Sequence, residues 1–530
     1  VGLVEGGEQV CADPAARATL GPMEPLDLGA AWAAQWPDAL PSSDRPQPGA
    51  GVVIDDLTGD GRLDVFLPAF TPCQLYVGLP DGTLANESLA RLPNATHDCE
   101  AWGGSAVDVD ADGDLDLFVA RNGAPDRLWL NDGAGHFAPS ATSIGLTPHL
   151  CGSRSGTWGD PDGDGDLDLF VARHHPVLGA DTADCERGEP LPGREIRPGD
   201  ANALYLNAGD GTFTDVTARL GDAGTYGYSF VGAWLDLDED GHQDLYIIND
   251  YGTRAEPNVL LRGDGGGGLT PAAPSTGLDL QADAMGVSIA DLNDDGHPDL
   301  AVSDIWAVHL LMSDGDGAWF DAARSLGLEP DLDRQQNAAW GVEWVDIDHD
   351  LDLDLLAAYG PTEQLIGDGR SVARQPDALF LQDANGRFED RAPVWGLDQK
   401  SVGRALLALD FDRDGWLDVV KTDYRGGPVQ ILRSRCGAEA WVTVRLDAAP
   451  RAVHAVGARV EIHLPDRTLT RWMPAPGSQL ASSAPPELHF GLGDHDRVDG
   501  MTVTWPDGRV DGFGPIGTRQ HLTVVRAALE

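Results

Sequence analysis

Short apolar runs recur along most of this chain, always in the same order. A run rich in small residues, such as Phe230-Val231-Gly232-Ala233-Trp234-Leu235, leads into a polar break, and a second apolar run, such as Leu245-Tyr246-Ile247-Ile248, follows it. A third run ends in a tight turn, as in Leu204-Tyr205-Leu206-Asn207-Ala208-Gly209-Asp210-Gly211. A segment led by phenylalanine comes last, as in Phe213-Thr214-Asp215-Val216-Thr217. The last two elements recur as Leu128-Trp129-Leu130-Asn131 with Phe137, and as Leu379-Phe380-Leu381-Gln382 with Phe388. Runs of this length, bounded by Asn, Asp and Gly, read as strands joined by hairpins. Four strands per unit and seven units over residues 46–436 predict an all-β fold, a seven-bladed β-propeller. Small residues in each first strand suit the crowded centre of such a ring.

The pattern changes at both ends. The seventh unit has three strands, through Val429-Gln430-Ile431-Leu432, and no phenylalanine-led fourth. Pro25-Leu26-Asp27-Leu28-Gly29-Ala30-Ala31 resembles the missing strand, so residues 1–45 are expected to close the last blade. From residue 437 to 530 the polar breaks lose their acidic character. Alternating runs appear there: Trp441–Leu446, Ala458–His463 and Met501–Trp505. They predict a small C-terminal β-sandwich-like domain.

Each break between the first two strands of a unit is an acidic ladder. The copies begin at Asp56, Asp108, Asp160, Asp236, Asp291, Asp346 and Asp410, spaced roughly 50 to 75 residues apart. Oxygen ligands at positions 1, 3 and 5, glycine at 6 and a carbonyl at 7 describe a calcium loop. Here the closing carboxylate stands at position 9 and runs straight into a strand, so the site is strand–loop–strand rather than helix–loop–helix. Three copies carry carboxylates at all four ligand positions and glycine at 6 in a plain form: Asp108, Asp110, Asp112 and Asp116; Asp236, Asp238, Asp240 and Asp244; Asp410, Asp412, Asp414 and Asp418. Asp160, Asp162, Asp164 and Asp168 form a fourth complete set. The first copy, Asp56, Thr58, Asp60 and Asp64, and the fifth, Asp291, Asn293, Asp295 and Asp299, each lack one carboxylate. The sixth, Asp346, Asp348, Asp350 and Asp354, has Leu351 where glycine belongs. Carbonyls at position 7 come from Arg62, Asp114, Asp166, His242, His297, Asp352 and Trp416. About seven calcium ions are therefore expected, with sites one and six the weakest. Four carboxylates in nine residues repel one another unless a cation lies between them.

The formal net charge of −50 exceeds what seven divalent ions would offset. Such a surface argues against nucleic acid and anionic membranes as partners. Lysine is nearly absent, at Lys400 and Lys421 alone. No run of apolar residues is long enough to span a membrane, which excludes membrane insertion by a helix. The first residues, Val1-Gly2-Leu3-Val4-Glu5, are not a signal peptide, and a processed chain is expected. Six cysteines fit an oxidising compartment, periplasmic or extracellular. Cys11–Cys436 locking the ring, with Cys73–Cys99 and Cys151–Cys185 as local pairs, is one pairing among many. Asn86-Glu87-Ser88 and Asn94-Ala95-Thr96 are glycan acceptors only in a eukaryote.

Loops entering the first strands include His97-Asp98-Cys99-Glu100, Ser153-Arg154-Ser155, Thr225-Tyr226-Gly227-Tyr228, Gln335-Gln336-Asn337 and Ser401-Val402-Gly403-Arg404. On a propeller they would converge on the axis as a polar ring suited to a sugar or a peptide. The longest insertion, 174–202, carries His174-His175. Arg262-Gly263-Asp264 spells an adhesion tripeptide inside a glycine-rich turn, where a hairpin needs such residues for backbone reasons. No nucleophile motif, phosphate loop or zinc signature is present.

The repeated V-x-D-x-D-x-D-G-x-x-D-L unit resembles the FG-GAP/VCBS repeat of the integrin α-chain propeller. Gly457-Ala458-Arg459-Val460, Leu488-His489-Phe490-Gly491-Leu492-Gly493 and Val503-Thr504-Trp505-Pro506-Asp507-Gly508 resemble the ASPIC/UnbV domain. Together they are similar to the cartilage acidic protein family and its bacterial relatives. The resemblance implies a secreted, calcium-stabilised, acidic protein linked with adhesion or matrix binding. The expected function is non-catalytic binding of an extracellular protein or glycan. One alternative is a polysaccharide lyase or hydrolase using Tyr226, Tyr228, Arg154, His97 or Arg404. Another is a lectin, whose sugar-binding residues would have to recur in every blade; only the ladder does.

Overall fold

The computed structural model describes residues 2–6, 23–26, 28, 49–70, 72–92, 99–140, 144–150, 152–174, 199–305, 307–328, 338–362, 374–424, 427–434, 437–447 and 455–526. Seven four-stranded antiparallel sheets follow one another along the chain. Blade one is Val53–Asp55, Asp64–Leu67, Gln74–Gly78 and Leu84–Asn86. Blades two to six open on Ala101–Val107, Ser153–Gly159, Tyr228–Leu235, Ala284–Ala290 and Ala338–Val345. Blade seven is Gly403–Leu409, Asp418–Asp423 and Gln430–Arg433, with Glu24–Pro25 as its fourth strand. Glu24 pairs with Arg433, and Leu26 N–H donates to Ile431 at 2.9 Å. The ring closes on a shared core in which Val52, Ile54 and Val65 of blade one pack with Leu407, Leu409, Val420 and Ile431 of blade seven.

Glycines in the first strands are seats for the neighbouring blade. A Cβ on Gly156 would overlap Phe118, and one on Gly232 would overlap Phe170. Each of those rings belongs to the second strand of the preceding blade. Gly156→Ala is thus expected to cost about 1–3 kcal/mol through overpacking, seen as a lower melting temperature with calcium saturating.

Six of the seven first strands are irregular near their start, with register shifts at Ala101/Gly103, Ser153/Ser155, Ser229/Val231, Ala284/Val287, Ala339/Val342 and Gly403/Leu406. A bulge re-aims the side chain that it carries. At these positions Trp102, Phe230, Met285 and Trp340 meet in one buried cluster with Tyr424. Arg154 and Arg404 join it face-on: Arg154 lies 4.1 Å from the Trp102 ring centre and Arg404 3.6 Å from that of Trp340. Both arginines are buried, at 2% and 0% exposure, so these two members of the expected polar ring stand instead in a closed cation–π core.

The C-terminal domain is a two-sheet sandwich. One sheet holds Gly2–Glu5, Gln520–Val525, Trp441–Asp447 and Glu487–Gly491; the other holds Thr468–Trp472, Arg459–His463, Gly500–Thr504 and Val510–Phe513. Gly2–Glu5 is the edge strand of the first sheet, paired with Gln520–Val525. The N-terminal segment thus serves both domains. Val442, Val444, Phe490 and Leu522 face Val460, Ile462, Met501 and Trp505 across the core.

Residues 474–486 leave this sandwich and run into the propeller axis. Trp158 N–H donates to Pro476 and Gly104 N–H to Ala481, both at 3.1 Å, and Ile54 N–H donates to Ser483 at 2.9 Å. Leu480 and Ala481 pack into the axial aromatic cluster. A cavity of about 190 Å³ remains beside this plug, lined by Ser288, Glu343, Arg471 and Gln479 among others. Burial pushes the Glu343 carboxyl up to about 8 while Ala408 N–H and the Gln479 amide hold it.

Candidate metal centres

All seven ladders fold into the same loop. The first aspartate accepts the backbone N–H of positions 5 and 6, one on each oxygen, at 2.7–3.2 Å in every copy. The ninth residue fixes the loop to its blade. Oδ1 of Asp64, Asp116, Asp168, Asp244, Asp299, Asp354 and Asp418 accepts the N–H at the end of the third strand, at 2.8–2.9 Å.

Two residues in each loop are left-handed. Position 4 (Gly59, Ala111, Gly163, Glu239, Asp294, His349, Arg413) has φ of 56–71° and position 6 has φ of 84–97°. Position 6 is glycine six times and Leu351 once, at φ 84°. Loop six is nevertheless closed like the others: Leu351 N–H reaches Asp346 Oδ2 at 3.2 Å. The Leu351 side chain packs against the core of the C-terminal domain, which accounts for an apolar residue there.

Five loops bring three carboxylates within 4.8 Å of one another: Asp108, Asp110 and Asp116; Asp160, Asp162 and Asp168; Asp236, Asp238 and Asp244; Asp346, Asp348 and Asp354; Asp410, Asp412 and Asp414. Among the described residues, loops one and five form no such group, in keeping with Thr58 and Asn293 at position 3. At that same position Oδ1 of Asp110, Asp162, Asp238 and Asp348 is buried and accepts no hydrogen bond. A buried oxygen aimed into a cluster of carboxylates is what a hard cation would satisfy, so the donor set fits calcium.

Electrostatics point the same way. Burial, reinforced by neighbouring carboxylates, pushes Asp116 up to about 8 and Asp168 up to about 9 against the pull of backbone N–H groups. Asp244 and Asp299 rise to about 7, and Asp354 and Asp418 stand well above the usual carboxylate range. In five loops the second oxygen of position 9 accepts the N–H of position 2, from Val109, Leu237, Leu292, Ile347 and Phe411. Loop three has Pro161 there, with no N–H to give, and Asp168 Oδ2 is left buried without a partner.

Some of the roles had no signal in the repeat. Asn131 donates from its amide to Leu57 of blade one and Leu115 of its own blade, both at 3.0 Å, and Asn207 likewise reaches Val109 and Leu167. Each clamps its own ladder to the one before. Arg262 pairs with Asp238 at 3.1 Å, Gly263 N–H is held by Asp244, and Asp264 accepts Gly266 and Gly268, so the adhesion-like tripeptide is occupied within its own hairpin. His174 is buried, 3.1 Å from Asp250 and packed on Tyr228, Phe230 and Tyr251. Cys73 and Cys99 form a disulfide. His97, Asp98, His175, the Gln335–Asn337 loop and the Cys11, Cys436, Cys151 and Cys185 pairings lie outside the described residues.

Residues 56–119, 108–171, 196–247, 236–302 and 291–357 match the FG-GAP-like repeat, and residues 450–530 match ASPIC and UnbV. Cartilage acidic protein 1 of Mus musculus is 24% identical over 498 residues, which is 87% of this chain and 71% of the relative. The Homo sapiens protein of that name is 26% identical over 59% of this chain and 46% of its own length, and the Xenopus tropicalis one 26% over 50% and 40%. The chain thus spans less than half of two of the relatives that it matches. Among solved structures, an Agrocybe aegerita lectin recognising non-reducing terminal N-acetylglucosamine superposes with a TM-score of 0.41 at 16% identity, covering 65% of this chain and 80% of that one. The BP39L lectin of Burkholderia pseudomallei gives 0.39 at 12%, covering 74% and 97%.

Proposed function

Because this chain belongs to the FG-GAP-like repeat family and ends in an ASPIC and UnbV domain, we propose that it is a secreted, calcium-stabilised propeller that binds an extracellular protein or glycan without chemistry. The carrying observation is the buried, unpartnered oxygen at position 3 of four ladders, repeated in the same loop geometry. Calcium accepts six to eight hard oxygens in loose geometry, and such loops suit the millimolar calcium found outside cells. Positions 1, 3, 5 and 9 supply the side-chain oxygens and position 7 a carbonyl. The Cys73–Cys99 disulfide supports the same compartment.

A scaffold of this kind holds its loops rigidly and leaves recognition to one face. The C-terminal domain is held at the ladders of blades four to seven, so the ligand is assigned to the opposite face, where the chain enters the first strands. Of the residues that an enzymatic reading would use, Arg154 and Arg404 are consumed in the axial core. Purified, calcium-loaded protein is expected to bind matrix proteins or glycans saturably and release them unchanged; turnover of a polysaccharide would overturn this reading.

A further inference from the structure

The C-terminal domain sits on the residues of ladders five to seven whose conformation a cation would fix. Arg467 donates through Nε to Asp294, position 4 of loop five, at 2.7 Å, and through Nη1 to Asp352, position 7 of loop six, at 3.2 Å. Gly493 N–H donates to His349, position 4 of loop six, at 2.9 Å. Any Cβ on Gly491 would overlap the carboxylate of Asp346, position 1 of that loop. In loop seven, Arg413 at position 4 donates to both oxygens of Glu487 at 2.8 and 2.9 Å, His489 Nε2 lies 3.0 Å from the carbonyl of Gly415, and Trp441 covers Gly415.

Asp294, His349, Leu351 and Arg413 all hold left-handed backbone angles that side-chain-bearing residues rarely adopt. Such angles persist only where the surroundings impose them. The backbone bonds to the first aspartate do so from inside the loop, and a cation would reinforce them. The C-terminal domain does so from outside.

Resting on the calcium reading above, we propose that cation occupancy of ladders five to seven and seating of the C-terminal domain, with its axial plug 474–486, are one coupled equilibrium. Calcium sets the loops to which the domain docks. By linkage, the docked domain tightens calcium in those loops by the same factor. Ladder two lacks such contacts and is expected to bind independently of the domain, whereas ladder three reaches it through Gln243, which accepts Asp160 N–H and donates to Val456, both at 2.8 Å.

The test uses the full chain, with amide hydrogen exchange followed through a calcium titration, so that 108–116, 160–168, 291–299, 346–354, 410–418 and 474–486 are read separately. Removing calcium is expected to expose 474–486 to exchange together with ladders five to seven. Two variants then give the sign. Leu351→Gly relieves the left-handed strain in loop six, and Arg467→Ala removes a positive charge beside its carboxylates; each change, acting locally, would tighten calcium. Coupling predicts the opposite: the protection midpoint of 346–354 moves to about tenfold higher calcium, within the usual 5–150-fold range, with 108–116 unmoved. An unmoved or lower midpoint in both variants overturns the inference, as does indifference of 474–486 to calcium while the ladders respond. A chain in which no ladder responds to calcium fails the functional reading as well.

Discussion

Stripping calcium from this protein is expected to lower its melting temperature by at least about 20 °C. Each site bound at about 100 times its dissociation constant contributes roughly 2.7 kcal/mol. Five assembled clusters then supply more than about 10 kcal/mol, comparable with the whole stability of an ordinary domain, and about 2–4 °C of melting temperature accompanies each kcal/mol in sizeable domains. The effect should depend on pH with a definite sign. In the cation-free chain the folded-state carboxyls at position 9 titrate far above 3.8, at about 6 for Asp64, 8 for Asp116 and 9 for Asp168. A raised pKa means that the folded state holds protons which the unfolded chain has released. Stability is therefore fully present below about pH 4 and is lost as pH rises through 6 to 9. Calcium-loaded protein should run the other way, since protons compete with the ion. Melting curves of cation-free and loaded protein between pH 5 and 9 check both slopes. Parallel slopes would contradict the account.

Replacing Lys421 by methionine is the single substitution expected to do most damage away from the ladders. Lys421 lies in the second strand of blade seven and pairs with Asp377 of blade six, with exposures of 3% and 1%. Asp377 also accepts Tyr359 N–H at 2.9 Å, and Lys421 reaches the carbonyl of Gln399 at 3.3 Å. Burial drives the Asp377 carboxyl upward, and the ammonium opposes it. Removing one partner of a buried ion pair costs about 3–5 kcal/mol because a charge stays behind unpaired, whereas neutralising both costs far less. The double variant Lys421→Met with Asp377→Asn keeps the acceptor for Tyr359 and should recover most of the loss. Thermal unfolding in saturating calcium decides: a double variant no more stable than the single one would refute the pairing argument.

What the sequence disclosed follows from what repeats. The alternation of strand and ladder is local and recurs seven times, so an all-β fold of repeated four-stranded sheets could be read directly. Position 9 was legible as a carboxylate, but its bond to the end of the third strand depends on sheet pairing, which no spacing encodes. Leu351 read as a weakness of site six because its reason for being there lies in a different domain. Lys421 carried no sequence signal for its pairing because burial is a tertiary property. Arg154 and Arg404 stood in segments that read as surface loops, and only the bulges in the first strands turn them into the axis. The edge strand Gly2–Glu5 is too short to signal its distant partner.

Counting bound metal per chain by native mass spectrometry, after exhaustive dialysis and return of calcium, bears most directly on the ladder reading. Five to seven calcium ions are predicted, at least one for each assembled cluster, with Asp110→Asn and Asp162→Asn each removing one. A chain that retains two ions or fewer, or whose count is unchanged by those substitutions, would contradict the claim that the ladders are calcium sites.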